Sequence, residues 1–144
     1  MAQIHATAVA IDGDGILLTG ESGSGKSDLA LRLINRDAML VADDRSDLAA
    51  TDGQLRVSAP SALEGMLEIR GVGIVVLPFE RTATVRMVCV MTPRAQIKRL
   101  PEVRRTTLEG LDIPTVEIDP FEVSAPDKVC MALRLVNGTI GSVA

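Results

Sequence analysis

The feature that most constrains this chain is the segment GESGSGKS at residues 20–27. A glycine-rich loop of this spacing, placed after an apolar strand and before an amphipathic helix, is the signature of a phosphate-binding loop. Residues 16–18 are apolar and residues 27–36 show helical periodicity, so the required order of strand, loop and helix is present. The alternative, a glycine-rich turn that only ends a strand, is disfavoured by the complete pattern and its flanks. We therefore expect an α/β fold that binds a nucleoside triphosphate.

The residue types in this loop suit ATP and Mg²⁺. Glycines let the backbone turn tightly and point N–H groups at phosphate oxygens. Lys26 can reach the β- and γ-phosphates, and the Ser27 hydroxyl can hold Mg²⁺. The expected nucleotide-binding residues are Gly20, Glu21, Ser22, Gly23, Ser24, Gly25, Lys26 and Ser27.

Composition bounds the rest of the fold. A chain of 144 residues is expected to form one domain, residues 1–144, with a core of its own and no disulfides. Hydrophobic residues make up 47% of the chain and aromatic residues only 1%, which suits an aliphatic sheet covered by helices. The formal net charge of −4 argues against a broad nucleic-acid surface.

The cysteines and the absence of long apolar runs indicate a cytoplasmic protein. Cys89 and Cys130 lie in apolar runs and lack metal-ligand spacing, so we expect small buried hydrophobes in a reducing compartment. The sequence shows no signal peptide and no run near the ~18 apolar residues of a membrane helix. No membrane contact is expected.

Apolar runs and turn residues predict a mixed sheet with flanking helices. The dipeptides at 12–13 and 52–53 predict hairpin turns, whereas the charged residues 95–111 are expected to be exposed and partly mobile. The predicted strands are residues 4–11, 15–19, 39–42, 47–50, 54–58, 66–69, 74–77, 82–91 and 114–118. The predicted helices are residues 27–36 and 125–136, with a single helical turn at 61–64.

Two adjacent carboxylates follow the predicted strand at residues 39–42. In open α/β sheets, ligand chemistry collects at such strand ends, so Asp43 and Asp44 are expected near the phosphate loop. Phosphoryl transfer needs a metal and a residue that orients or deprotonates the acceptor. One aspartate could hold Mg²⁺ through water while the other accepts a hydroxyl proton. The alternative is a strand-end turn with two solvated aspartates.

The segment LEIRGVG places Glu68 and Arg70 on the same side of a strand. Charges in an apolar strand are costly unless they pair with each other or meet a metal and a phosphate. A surface ion pair on a half-exposed sheet is the alternative. His5 is the only histidine and is expected in the strand beside the phosphate-loop strand, where a purely structural role is the other possibility.

Three blocks together resemble the catalytic domain of the HPr kinase/phosphorylase family. They are GESGSGKS at 20–27, LVADDR at 40–45 and LEIRGVGI at 67–74. Members of this family phosphorylate a serine of the sugar-transport phosphocarrier HPr and can remove that phosphate. The match runs from about residue 5 to residue 77. It implies a P-loop kinase domain of the HPr kinase/PEP carboxykinase-like type, here in a short form with only the C-terminal catalytic domain.

The resemblance also implies roles for individual residues. Lys26 and Ser27 would bind ATP and Mg²⁺, and the metal ligands would be Ser27, Asp43 and Glu68. Asp44 would be the base that activates the acceptor serine. His5 would support catalysis, and Arg99 stands near the later essential arginine of the family. The expected partner is an HPr-like phosphocarrier or a related regulator, and the expected assembly is a homo-oligomer, by resemblance a hexamer.

One departure from the family and two rival functions affect this interpretation. The segment VEIDPFEVSAP at 116–126 lacks the arginine-bearing Pro-Val-Arg-Pro-Gly type of sequence associated with dephosphorylation, which speaks against the reverse reaction. A nucleotide-sensing module would bind ATP or ADP and a partner but transfer nothing. A small-metabolite kinase would use the same loop and carboxylates on another hydroxyl. Asp44 together with Glu68 favours transfer over sensing.

Overall fold

The computed structural model describes residues 2–143, which form a curled nine-stranded sheet, a separate two-stranded sheet and two α-helices. The strands are β1 (Ala2–Ile4), β2 (Ala6–Ile11), β3 (Asp14–Thr19), β4 (Met39–Ala42), β5 (Ser46–Thr51), β6 (Gln54–Ser58), β7 (Met66–Ile69), β8 (Gly73–Val76), β9 (Ala83–Met91), β10 (Arg104–Leu108) and β11 (Leu111–Ile118). The helices are α1 (Lys26–Ile34) and α2 (Ala125–Val136), with short 3₁₀ turns at Ser61–Leu63 and Arg94–Gln96.

The strand order brings four strand ends to one edge. The main sheet has the order β1-β5-β6-β9-β3-β2-β4, with β11 also paired to β9 and β10 paired to β11. Strands β3, β9 and β11 are parallel. Strand β4 runs in the same direction because it and β3 are both antiparallel to β2. The carboxyl ends of β3, β4, β9 and β11 therefore lie on the same side of the sheet, where sites form in α/β folds.

The mixed sheet is confirmed, but both helices lie on one of its faces. Side chains from β2, β3 and β9 alternate between two cores, as the period of a strand requires. The first core lies under α1 and α2 and includes Ile16, Leu18, Leu29, Leu33, Met87, Val129 and Leu133. In the second core, Leu48, Leu55 and Val57 of β5 and β6 pack on Leu17 and Val88, so the sheet curls over its own second face.

Several predicted elements have the expected bounds. Helix α2 coincides with the predicted residues 125–136, and the helical turn after Pro60 is present. Both hairpin turns are formed, with φ of 49° and 84° at Asp12 and Gly13 and of 52° and 75° at Asp52 and Gly53. Positive φ at both central residues is the geometry that matches the twist of a two-residue hairpin.

The structure corrects four expectations. His5 lies at an exposed bend between β1 and β2 and not within a strand. Residues 95–111 include a strand, β10, which forms a hairpin with a longer β11 than expected. Strands β7 and β8 form a separate two-stranded sheet. Cys89 is buried as expected, but Cys130 is only half-buried. Neither α-helix in the described part of the chain has the length and apolarity needed to cross a membrane.

Candidate active site

The phosphate loop connects β3 to α1, and its last glycine is fixed by geometry. Gly25 is the residue before α1 and has a φ of 104°, which L side chains rarely adopt. A Cβ atom built there would lie 2.6 Å from Pro120 Cγ. The Gly25 carbonyl oxygen accepts the first hydrogen bond of the helix, from Leu29 N at 3.0 Å. The N–H groups of the first turn of α1 have no partner within the helix and are therefore suited to an anion.

The Lys26 side chain is folded back onto the loop. The residue is only 6% exposed, and its Nζ donates to the carbonyl oxygens of Gly20 at 2.7 Å and Glu21 at 2.9 Å. An ammonium group has three N–H donors, so one remains for a ligand oxygen. The loop thus holds the charge where its sequence predicts that phosphates bind.

Asp43 joins the loop to the neighbouring strands. Its Oδ1 accepts hydrogen bonds from Ser27 Oγ at 2.7 Å and Thr7 Oγ1 at 3.1 Å, and its Oδ2 accepts one from Glu68 N at 3.4 Å. Thr7, which is fully buried in β2, also accepts a hydrogen bond from Asp44 N at 3.2 Å. Thr7 therefore fixes the turn that carries both aspartates. No motif pointed to Thr7, because its role depends only on the pairing of β2 with β4.

Asp44 is held differently from Asp43. It has a φ of 65°, a conformation that aspartate tolerates better than most residues, and its side chain is exposed. Within residues 2–143 its carboxylate makes no hydrogen bond or ion pair. The surface ion pair between Glu68 and Arg70 that the sequence left open is not formed among the described residues. Both side chains instead line a cavity.

This cavity brings the three motif blocks together. It has a volume of about 510 Å³, within the usual range for small-molecule sites. Its lining residues are Ser22, Gly23, Gly25, Lys26, Ser27, Asp28, Leu31, Asp43, Asp44, Glu68, Ile69, Arg70 and Phe121. Phe121, which follows β11, was not anticipated from the sequence.

The residues of the cavity suit Mg²⁺ bound together with phosphates. No group of three or more His, Cys, Asp or Glu side chains within residues 2–143 is arranged to hold a metal alone. Mg²⁺, however, commonly uses one or two protein oxygens and takes its other ligands from phosphates and water. Ser27 Oγ and Asp43 Oδ1 are such a pair. Four lining carboxylates against two cationic side chains would also repel a triphosphate unless a divalent cation accompanied it.

Two predicted site residues do not reach the cavity. His5 lies at the exposed bend before β2, and Arg99 lies exposed in the loop that follows the 3₁₀ turn Arg94–Gln96. Neither is among the residues that line the cavity. Arg99 makes no hydrogen bond or ion pair with the rest of residues 2–143. Their roles in catalysis stay predictions.

Comparison with known proteins points to one family. The sequence model described as "HPr Serine kinase C-terminal domain" matches residues 1–119. The HPr kinase/phosphorylase of Limosilactobacillus reuteri is 36% identical over 127 residues, which cover 80% of this chain and 40% of the relative. That of Clostridium novyi is 50% identical over 76 residues, which cover 53% of this chain and 25% of the relative. The chain thus spans less than half the length of these relatives.

A solved structure agrees over nearly the whole chain. The Hpr(Ser) kinase/phosphatase from Coxiella burnetii superposes with a TM-score of 0.79 at 28% sequence identity. The superposition covers 96% of this chain and 96% of that chain.

Proposed function

Because the chain belongs to the HPr serine kinase C-terminal domain family, we propose that it is an ATP- and Mg²⁺-dependent protein serine kinase. The acceptor would be a serine of an HPr-like phosphocarrier or a related regulator. One observation supports this proposal above all others: a single cavity contains the phosphate loop, Asp43, Asp44 and Glu68. A module that only binds nucleotide has little need of a carboxylate in that cavity that makes no hydrogen bond or ion pair within the described part of the chain.

The loop side of the cavity would bind and polarise the phosphates. Lys26 would donate its remaining N–H to a phosphate oxygen, and the N–H groups at the start of α1 would bind the others. Ser27 and Asp43 would hold Mg²⁺, with Glu68 nearby. Bound Mg²⁺ would neutralise charge that develops on the β- and γ-phosphate oxygens. Because these groups are already positioned by internal hydrogen bonds, little reorganisation is needed.

Asp44 is the better general base of the two aspartates. The Asp43 carboxylate oxygens already accept hydrogen bonds from Ser27 Oγ, Thr7 Oγ1 and the backbone N–H of Glu68. Among residues 2–143 the Asp44 carboxylate has no such partner, and it is exposed to an incoming acceptor. It would take the proton of the serine hydroxyl as that oxygen attacks the γ-phosphorus and ADP leaves.

The proposal concerns the forward direction. The names of the relatives include phosphorylase and phosphatase activities. In this chain the segment after β11 carries Pro120 and Phe121 and has no arginine, so we expect phosphate removal to be weak. A single catalytic domain, a homo-oligomer that is hexameric by resemblance, and a cytoplasmic location complete the proposal. Analytical ultracentrifugation measures the assembly.

A phosphotransfer assay tests the proposed activity. The chain is incubated with γ-labelled ATP, Mg²⁺ and a purified HPr-like carrier, and mass spectrometry locates the modified residue. A carrier whose acceptor serine is replaced by alanine is the control. We expect label on the serine of the unmodified carrier only. ATP binding without any transfer would instead support the sensor, and transfer to a small hydroxyl compound but not to the carrier would support the metabolite kinase.

A further inference from the structure

One wall of the cavity is an aromatic ring. Phe121 lines the cavity together with the phosphate loop and is 70% exposed. The chain has only two Phe and no Trp or Tyr, so an exposed ring at this position is unusual for its composition. Phe121 belongs to residues 119–122, which follow β11 and which we call the β11 ledge.

The β11 ledge is held rigidly by its own hydrogen bonds and by α1. The Asp119 carboxylate accepts hydrogen bonds from Phe121 N at 2.9 Å and Arg94 N at 3.0 Å. Arg32 of α1 donates hydrogen bonds to the backbone carbonyl oxygens of Pro120 and Glu122, the latter at 3.0 Å. The Glu122 carboxylate, with a side chain only 14% exposed, pairs with Arg94 at 2.9 Å. The ring is therefore presented to the cavity by a backbone fixed on both sides.

The ledge also contacts the phosphate loop directly. A Cβ atom at Gly25 would lie 3.1 Å from Phe121 Cζ, in addition to its clash with Pro120. The tip of the ring is thus at contact distance from the backbone of the loop. A ligand with phosphates on that loop would have its remaining part within reach of the ring.

The strand order places the ring and the carboxylates on opposite sides of the loop. The loop follows β3, which is central among the strands that point to the cavity. Asp43 and Asp44 follow β4, two strands away in one direction, whereas Phe121 follows β11, two strands away in the other. A nucleotide whose γ-phosphate faced the carboxylates would have room for its nucleoside on the side of Phe121, within the same cavity.

We propose that Phe121 is the stacking platform for the base of the bound nucleotide, an inference that rests on nucleotide binding in the proposed function. An aromatic ring stacks on the flat face of any base, and loss of one such contact weakens binding by about 5- to 150-fold. The ring needs no base-edge hydrogen bonds for this role. The phosphates, in contrast, gain nothing from it.

Comparison of a ligand that has a base with one that lacks it separates the contributions of the base and the phosphates to binding. Calorimetry on the full chain would compare Mg·ADP with Mg·tripolyphosphate, which has no base. In Phe121→Ala we expect Mg·ADP binding to weaken by about 5- to 150-fold and Mg·tripolyphosphate binding to stay unchanged. Phe121→Leu keeps an apolar side chain without a π-face and should also weaken Mg·ADP alone. Val123→Ala is the matched control, because Val123 is exposed, lies nearby and does not line the cavity.

Phe121→Trp adds a spectroscopic readout. The chain has no other Trp, so its fluorescence reports on this position alone. We expect Mg·ADP to change this fluorescence and Mg·tripolyphosphate to leave it unchanged. Unchanged Mg·ADP affinity in Phe121→Ala, or equal weakening of both ligands, would overturn the proposal. Absent phosphotransfer to a carrier with base-dependent binding intact would overturn only the kinase proposal.

Discussion

Two neighbouring aspartates have different surroundings, and we propose different functions for them on that basis. Asp43 is bound by a serine, a threonine and a backbone N–H, whereas the Asp44 carboxylate has no hydrogen bond within residues 2–143. The dipeptide alone gives no means of assigning the two roles, since either residue could have faced the loop. Thr7 supports the proposed assignment, because it donates to the carboxylate of Asp43 and accepts from the backbone N–H of Asp44.

Replacement of the proposed base should abolish transfer but not binding. Asp44→Asn removes the proton acceptor while keeping shape, so we expect kcat to fall by about 10²-fold or more with a nearly unchanged Kd for ATP. Asp52→Asn is the matched control, because Asp52 also has a positive φ, of 52°, but lies in a remote hairpin turn. Lys26→Ala should instead weaken ATP binding. Equal losses of ATP affinity in Asp44→Asn and Lys26→Ala would contradict the assigned roles.

The two cysteines should react slowly and in a fixed order. Burial raises the pKa of the Cys89 thiol to about 12. The pKa of Cys130 is also raised, mainly by its partial burial and to a smaller extent by the negative charge of the nearby Asp127. A raised pKa leaves less thiolate at pH 7 than in a free cysteine, and reactivity grows as the pH rises. We expect iodoacetamide to modify Cys130 before Cys89, both far slower than in urea, as measured by mass spectrometry. Modification of Cys89 first would contradict this order.

Elements with strong local signals were predictable from the sequence, and edge elements were not. Helix α2 has a proline start, a full apolar stripe and an Asn-Gly end, and its bounds coincide with the prediction. Strand β10 was missed because, among the strands that the structure describes, it pairs only with β11, and because its charged and threonine side chains show little alternation. The sequence feature that could have indicated this hairpin is Gly110, which forms its turn together with Glu109 at φ of 77° and 50°.

In the candidate site, too, residues in local motifs were predictable from the sequence, whereas residues brought in by strand pairing were not. The three motif blocks were expected to meet and do line one cavity, because each lies in or next to a strand or turn that its own sequence predicts. Thr7 and Phe121 come from β2 and from the end of β11, and only strand pairing brings them there. Sequence separation hides such contacts, since nothing local marks a residue as the neighbour of a distant loop.

The junction between the phosphate loop and the β11 ledge is tested by a glycine substitution. Gly25→Ala places a side chain at a φ of 104° and also against Pro120. The backbone conformation alone costs about 1–2 kcal/mol in a residue with a Cβ atom, so we expect the free energy of unfolding to fall by more than that amount. It should also weaken Mg·ADP binding. Gly53→Ala, at a φ of 75° with open space around it, isolates the strain alone. Urea unfolding measures the loss of unfolding free energy in both variants. Equal losses in Gly25→Ala and Gly53→Ala would argue against close packing at this junction.

At the scale of the whole molecule, the site lies at the boundary of the main core. Strand β3 and helix α1, which hold the phosphate loop between them, bury Ile16, Leu18, Leu29 and Leu33 in the core under the helices. Because both elements belong to this core, we expect the loop to unfold together with the rest of the protein. The β7–β8 sheet is less integrated into the core, because Ile74 and Val76 remain exposed and the sheet pairs with no other strand among residues 2–143.

Ligand binding should consequently stabilise the entire fold. At a Mg·ADP concentration of 100 times its Kd, binding adds about 2.7 kcal/mol to the free energy of unfolding, which corresponds to a Tm increase of roughly 5–10 °C for a chain of this size. Because the loop is flanked by two elements of the core, β3 and α1, calorimetry should show one transition that moves as a whole. Lys26→Ala should lose most of the shift at the same concentration. A second transition that stays at the ligand-free temperature, while only part of the heat moves, would show that the loop unfolds independently of the core.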